Sequence, residues 1–202
     1  MALVSIKKKE ETMEEDDVLA YQANYEVFKG GLSRHEITKY YDKWAETGEY
    51  NKHLSPDRYT GPECAARALA KNIPAKDRST ARILDVAAGT GLLGAELYKL
   101  GFRNMDALDP SEGMLNKARE RQIYTNFIND FIGLENLVPV EDSGIICIAM
   151  REEYLDVSEY KGILEPFMQN LERDGKWKLL TKDTIGNYAF GKPGVVFQFV
   201  IL

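Results

Sequence analysis

Apolar positions along this chain fall into short runs that alternate with helical repeats. The first three runs, at residues 81–86, 105–108 and 123–128, have the length and apolar content of buried strands. A helical pattern of apolar residues separates each of these runs from the next. Strand and helix in alternation predict an α/β fold, in which a parallel sheet is covered by helices on both faces.

The second half of the chain continues this pattern less regularly. Its apolar residues predict three further strands and one helix, at residues 145–150, 177–181, 195–201 and 160–173 respectively. The turn residues at Gly191–Gly194 favour a hairpin. The last strand is therefore expected to run antiparallel to its neighbour.

The first 32 residues carry little apolar periodicity and many charges. Residues 1–32 therefore predict a flexible N-terminal tail with a weak helical segment. Ser33 and Glu36 have the spacing of a capping box, which predicts that a helix begins here. The apolar face of this helix consists of residues at helical spacing: Ile37, Tyr40, Tyr41 and Trp44. The folded domain is predicted to span residues 33–202.

Composition narrows the choice of partners and compartment. The chain has 202 residues, with 26 Lys and Arg against 32 Asp and Glu and a net charge of −6. An acidic surface disfavours nucleic acid as a partner. No run approaches the ~20 apolar residues of a membrane-spanning helix, and the N-terminus lacks the apolar stretch of a signal peptide. With only two cysteines, the chain is predicted to lie in the reducing cytoplasm. It is also predicted to be a monomer with no membrane partner.

The most informative stretch is Asp85–Gly91, where the first predicted strand turns into a helix. Glycines at such a turn let a ligand approach the backbone, and the helix N-terminus offers free N–H groups. Gly89, Gly91 and Gly94 also have the spacing of the dinucleotide-binding fingerprint, with Asp109 twenty residues after Gly89. Two cofactor hypotheses therefore compete, a nicotinamide dinucleotide and S-adenosylmethionine.

The acidic residues at the strand ends favour the second hypothesis. Asp85 ends the first strand, where its carboxylate would repel a pyrophosphate but attract the sulfonium and ammonium of S-adenosylmethionine. Asp109, after the second strand, suits a ribose diol with either cofactor. Asp130, after the third strand, can accept a hydrogen bond from an adenine amino group.

Several segments resemble class I S-adenosylmethionine-dependent methyltransferases. Ile83–Gly91 is similar to the glycine loop of these enzymes, and Leu108–Ser111 to the segment that carries the ribose-binding acid. Tyr40–Ala45 and Gly144–Tyr154 resemble, more narrowly, the Williams–Beuren syndrome region family of methyltransferases. The resemblance covers roughly residues 25–202.

This resemblance implies a Rossmann-like three-layer sandwich with a mainly parallel sheet and an antiparallel C-terminal strand. It implies methyl transfer from S-adenosylmethionine to a small-molecule or protein acceptor, with no metal and no identified catalytic residue. The implied cofactor-binding residues hold the methionine end, the ribose and the adenine, and close the site from the N-terminal helix: Asp85, Ala87, Gly89 and Gly91; Asp109; Pro110, Ser111, Met114, Asp130 and Phe131; Tyr40 or Tyr41.

The chain departs from the family pattern in one place. Such folds place a strand and a helix between the acid of the third strand and the strand that resembles Ile145–Met150, whereas only Phe131–Gly144 intervenes here. We expect that about forty residues, one βα unit, are absent. In the alternative interpretation, Ile145–Met150 is the fourth strand and Trp177–Thr181 the fifth. The departure also raises the hypothesis of a non-catalytic short form that binds the cofactor.

Overall fold

The computed structural model describes residues 15–26, 31–131, 144–157 and 160–202. Seven helices lie in these ranges: α1 (Glu15–Glu26), α2 (Arg34–Glu46), α3 (Glu49–His53), α4 (Gly61–Asn72), α5 (Leu92–Lys99), α6 (Glu112–Glu120) and α7 (Leu164–Arg173). Six strands lie there as well: β1 (Arg82–Val86), β2 (Asn104–Leu108), β3 (Asn126–Ile128), β4 (Ile145–Arg151), β5 (Trp177–Ala189) and β6 (Lys192–Ile201). Within the same ranges, no helix has the length and apolar character needed to cross a membrane.

The first three strands form a parallel sheet in the order β1-β2-β3. Val86 lies opposite Leu108, and Leu108 lies opposite Ile128, so the three strands end at the same edge. A core of buried side chains packs this sheet against its helices: Leu97, Phe102, Met105, Ala107 and Leu115. The residues that follow the three strands are thereby brought together at one edge of the sheet.

The last three strands form a separate antiparallel sheet in the order β4-β6-β5. β5 and β6 form the predicted hairpin, which turns at Phe190 and Gly191, two residues with positive φ. β5 extends to Ala189, well beyond the predicted end at residue 181. The rings of Trp177 and Phe199 stack with centroids 4.1 Å apart at the centre of this half's core.

The α/β class is confirmed, but the predicted single sheet is divided in two. A fourth strand that continued the parallel sheet would pair with β1, whereas Ile145–Arg151 pairs antiparallel with β6. This pairing contradicts the alternative interpretation of Ile145–Met150 as the fourth strand. Among the described residues, no strand pairs with the second edge of β1 or of β4. This division is the result expected if a strand between them is absent.

Residues 132–143, which connect β3 to β4, lie outside the described residues. The expected absence of one βα unit between β3 and β4 concerns these residues, so it stays a prediction.

Helix α4 bridges the two sheets. Its residues Ala66 and Leu69 belong to the core of the first sheet, against which Ile145 and Cys147 of β4 also pack. Asn72, the last residue of α4, donates a hydrogen bond of 2.6 Å from Nδ2 to Oε1 of Gln198 in β6. The two halves are therefore joined by packing on a helix rather than by a continuous hydrogen-bonded sheet.

The predicted capping box of α2 is confirmed. Oγ of Ser33 accepts a hydrogen bond from the Glu36 N–H at 3.3 Å, and Oε2 of Glu36 accepts one from the Ser33 N–H at 2.8 Å. Helix α1 lies within the segment predicted as a tail, where Ala20 is fully buried and the Tyr40 hydroxyl donates to the Ala23 carbonyl at 2.8 Å. The domain boundary at residue 33 stays a prediction, but α1 packs against α2.

Candidate active site

The turn between β1 and α5 has the backbone geometry of a ligand-binding loop. Gly89 and Gly91 have φ angles of 56° and 80°, in the left-handed region that glycine adopts without strain. A Cβ added to Gly89 would lie 3.2 Å from the Tyr50 hydroxyl. Thr90 of the loop is held by a residue outside the loop, because its hydroxyl donates a hydrogen bond to Oδ1 of Asn51 at 2.5 Å. The loop therefore presents backbone, not side chain, at the start of α5.

Asp109 joins the end of β2 to this loop. Its Oδ2 accepts a hydrogen bond from the Gly89 N–H at 2.9 Å, and its Oδ1 accepts one from the Ser111 N–H at 2.8 Å. The side chain is buried, which raises the pKa of the carboxyl group, while these two N–H groups oppose the rise. Each carboxylate oxygen keeps a second lone pair for a further donor.

Asp85 is more deeply buried than its predicted role suggested. Its Oδ2 accepts a hydrogen bond of 2.6 Å from the hydroxyl of Tyr124. Burial raises the pKa of Asp85 to about 6, although the Tyr124 hydroxyl opposes this rise. The sequence analysis did not single out Tyr124, because its place at the start of an apolar run is typical of a core residue.

The loop borders a cavity of about 300 Å³ between the two sheets. We call it the cofactor cavity. Its walls come from the end of β1 with the first residues of the loop, from α4, from the start of α5 and from β4. They include Asp85, Ala87, Ala65 and Ala149, whereas Gly89, Gly91 and Asp109 lie outside them. It lies where no described strand joins β1 to β4.

Comparisons with known proteins agree with this geometry. A family model described as a methyltransferase domain matches residues 83–175. Methyltransferase-like protein 27 of Homo sapiens is 29% identical over 168 residues, which cover 69% of this chain and 67% of that protein. Over these ranges the chain is similar in sequence to methyltransferases.

A second curated protein and a solved structure also resemble this chain. The ubiquinone/menaquinone biosynthesis C-methyltransferase UbiE of Campylobacter jejuni is 31% identical over 100 residues, which cover 46% of this chain and 41% of that protein. A solved S-adenosylmethionine-dependent methyltransferase from Leishmania major has the same fold, with a TM-score of 0.54, 13% identity and 80% of each chain covered. The Rossmann-like fold predicted from the sequence is confirmed.

The residues of this site fit the adenosyl part of S-adenosylmethionine. Asp109 has acceptor positions for two ribose hydroxyls, and the loop that holds it has no side chain at Gly89. Asp85 lies in the wall of the cofactor cavity, where a carboxylate favours a cationic methionine end. The nicotinamide alternative lacks comparable support, since this same carboxylate would face a pyrophosphate.

Asp42 holds the helix that follows Asp109, and the sequence analysis missed it. Its Oδ1 accepts hydrogen bonds from the Ser111 hydroxyl at 2.6 Å and the Gly113 N–H at 2.9 Å. Ser111 in turn caps α6 by accepting from the Met114 N–H at 3.1 Å. The side chains of Ser111 and Met114 are fully buried. Their predicted place beside the adenine, like that of Pro110, stays a prediction.

The end of β3 lies close to the end of β2, as predicted. Asn129 donates from Nδ2 to the carbonyls of Asp109 and Pro110 at 3.1 and 3.0 Å. Oδ1 of Asp130 accepts a hydrogen bond of 2.7 Å from the N–H of Phe131, whose ring is exposed. Both predicted adenine contacts therefore lie at the same sheet edge as Asp109.

The two neighbouring tyrosines of α2 have different surroundings. Tyr41 lines a second cavity beside the cofactor cavity. The Tyr40 hydroxyl instead contacts α1, so the structure brings only Tyr41 to the site. Nearby, Trp44 donates from Nε1 to Nδ1 of His53 at 3.1 Å, which fixes α3 against α2. No cluster of potential metal ligands occurs in the described part of the chain.

Proposed function

We propose that this chain binds S-adenosylmethionine through the glycine loop and the acids at the three strand ends. Asp109 binds the ribose, Asp85 with Ala87, Gly89 and Gly91 holds the methionine end, and the end of β3 contacts the adenine. The hydrogen bond between Asp109 and the Gly89 N–H is the observation that carries this proposal. It joins two cofactor-binding elements that are twenty residues apart.

Positioning by the chain is sufficient for the transfer. When bound, S-adenosylmethionine supplies an electrophilic methyl group, so the chain need only align the acceptor and exclude water. Tyr50 and Tyr59 line both cavities and are the residues best placed to do so. Burial raises the pKa of both hydroxyls, which keeps them neutral as hydrogen-bond donors.

The acceptor in this proposal is a small molecule or a protein. A net charge of −6 disfavours nucleic acid. The protein is proposed to act as a monomer in the cytoplasm, in keeping with its two cysteines.

A second candidate function is binding of the cofactor without catalysis. The unpaired edges of β1 and β4 border the cofactor cavity, and they favour this candidate. A missing strand there would leave the cofactor bound but the acceptor misplaced, and a displacement of about 1 Å can reduce the rate ~100-fold.

A thermal-shift comparison of S-adenosylhomocysteine with NADH tests the proposal. A ligand at about 100 times its Kd stabilises the folded state by ~2.7 kcal/mol, which is a Tm increase of about 5–11 °C for a chain of this size. We expect this increase with S-adenosylhomocysteine and none with NADH. No shift at millimolar S-adenosylhomocysteine contradicts both candidates. A shift without methyl transfer to any acceptor favours the non-catalytic one.

A further inference from the structure

A second cavity of about 180 Å³ adjoins the cofactor cavity. We call it the tyrosine cavity, because five tyrosines line it: Tyr41, Tyr50, Tyr59, Tyr154 and Tyr188. It shares wall residues with the cofactor cavity, among them Tyr50, Tyr59 and Ala149. A molecule in the tyrosine cavity would thus lie beside the proposed methionine end of the cofactor.

Two hydroxyl groups in this cavity are available to a ligand. Within the described residues, the hydroxyls of Tyr41 and Tyr50 have no hydrogen-bond partner. Burial raises the pKa of both, so each is a neutral donor at physiological pH. Both residues are partly exposed and line the cavity. Their hydroxyl groups can therefore donate to a ligand in the cavity that carries acceptor oxygens.

The charges on the same wall favour an anion. Arg151, at the end of β4, is buried and donates from Nη2 to Oδ1 of Asn24 at 2.7 Å. Its Nη1 lies 3.1 Å from Oε1 of Glu153, while Lys192 contacts Oε2 of the same carboxylate at 2.6 Å. Of these three groups, Arg151 lines the cavity, so its guanidinium is the cation that a bound anion would meet.

Tight packing gives this wall a fixed shape. The ring of Tyr188 packs edge-on against Tyr59, with centroids 5.6 Å apart. A Cβ added to Gly61 or Gly194 would lie within 2.7 Å of Tyr188 atoms, so the ring fits between two glycines. Aromatic walls of this kind favour a flat ring as ligand.

The size of the cavity limits the ligand further. Its volume of about 180 Å³ is below the ~300–1,000 Å³ of sites for drug-sized molecules. On the basis of the proposed function, we infer that the tyrosine cavity is the acceptor site and takes a small aromatic carboxylate. The carboxylate lies toward Arg151 and accepts from Tyr41 and Tyr50.

The ring of such an acceptor also needs a nucleophilic substituent. A hydroxyl oxygen on the ring forms the new bond to the methyl carbon and releases its proton to solvent. The carbon–sulfur bond breaks, and its electron pair stays on sulfur, which leaves S-adenosylhomocysteine.

Calorimetric titration with benzoate and its neutral analogue benzamide tests the inference in the presence of saturating S-adenosylhomocysteine. Benzoate is expected to bind at least about tenfold more tightly, because hydrogen bonds to a charged group are the stronger ones. Equal affinity for the two probes, or binding of neither, overturns the inference. This comparison uses the unmodified protein and does not depend on the folding of any variant.

Conservative variants locate the binding site. Tyr41→Phe and Tyr50→Phe keep the ring and remove only the donor, and each is expected to weaken benzoate at least about fivefold. Tyr98→Phe, on the exposed face of α5, is the matched control and should leave benzoate affinity unchanged. If Tyr41→Phe and Tyr50→Phe also leave it unchanged, benzoate binds elsewhere and the inference is wrong.

A double variant tests the charge argument. Arg151→Gln combined with Glu153→Gln removes the guanidinium from the cavity wall together with its carboxylate partner, and the partly exposed Lys192 loses its contact with Glu153. The preference for benzoate over benzamide should then fall at least about fivefold, and an unchanged preference counts against the inference. The thermal shift with S-adenosylhomocysteine is a separate measurement. A normal shift without benzoate binding rejects only the acceptor site, whereas no shift rejects the proposed function itself.

Discussion

The two sheets of this protein contribute to the site in different ways. The first has short parallel strands of five, five and three residues, and its strand ends carry Asp85, Asp109 and Asp130. The second has antiparallel strands of seven, thirteen and ten residues, and it supplies cavity walls and Arg151. Parallel strands all end at one edge of a sheet, so residues after successive strands gather there. Successive antiparallel strands end at opposite edges, so the residues that follow them do not gather at one edge. This sheet therefore contributes separate side chains to the site.

The line between the two sheets is where the proposed reaction would occur. β1 and β4 each have a partner on one edge, and the cofactor cavity lies between them. Because α4 joins the halves by side-chain packing, their relative position depends on that packing and not on strand register. Substitutions in this packing should therefore reduce cofactor affinity less than they reduce the rate of methyl transfer.

The largest expected effect comes from restoring a strand between the sheets. A βα unit from a full-length relative would be inserted between residues 143 and 144. Because it would pair both free strand edges, the Tm should rise by at least about 5 °C, and methyl transfer by at least about tenfold. A Gly/Ser linker of the same length is the control and should raise neither. If the βα unit leaves both values unchanged, the absence of a strand does not explain the divided sheet.

The next largest effect concerns Asp109 in the first sheet. Asp109→Ala should weaken S-adenosylhomocysteine binding by about 1.5–3 kcal/mol, the range for hydrogen bonds to a charged group. The variant should also lose about 1–3 kcal/mol of stability, because the N–H groups of Gly89 and Ser111 lose their acceptor. Calorimetry and urea unfolding measure the two effects. Asp106→Ala, within β2, is the control, and equal affinity losses in both variants would remove the ribose assignment.

A pair of glycine variants compares the two halves directly. An added Cβ would lie 2.1 Å from the Tyr124 hydroxyl in Gly94→Ala and 2.2 Å from Cγ of Tyr188 in Gly194→Ala. Each should lose about 1–3 kcal/mol of stability through overpacking. Gly94→Ala should weaken S-adenosylhomocysteine more, because it disturbs the partner of Asp85, and Gly194→Ala should weaken benzoate more. The reverse pattern, measured by calorimetry, would contradict the assignment of the two cavities.

The smallest effect is a pH dependence from Asp85. Burial raises the pKa of Asp85 to about 6 in the folded protein. The folded state therefore binds more protons than the unfolded state between pH ~4 and ~6, and this group lowers stability as the pH rises through that window. The ammonium group of S-adenosylhomocysteine favours the ionised form of Asp85, so the affinity for this ligand should rise up to about tenfold from pH ~5 to ~7. Asp85→Asn should flatten this dependence, and an unchanged slope would assign it to another group.

Much of the first half could be predicted from the sequence. The strands, the glycine loop and the acids at their ends follow from patterns within about fifty residues, from Ala81 to Phe131. Their meeting at one edge also follows, since successive strands in an alternating βα pattern are parallel. The departure before Gly144 was an expectation from the resemblance to the family pattern. The roles of Tyr124 and Asp42 could not be predicted from the sequence, because a tyrosine in an apolar run and an acid on a helix are both common structural residues.

The sequence by itself determined the fold class and the residues that connect strand ends to the glycine loop, and it predicted the cofactor class. Only the tertiary structure decided that β4 pairs with β6 instead of β1, and that tyrosines from 41 to 188 line one cavity. The physical reason is the range of the contacts. A loop and the acids of neighbouring strands are set by local periodicity. The order of the second sheet depends on contacts between residues about fifty positions apart, such as Ile145 and Val200, and the cavity walls join residues more than a hundred positions apart.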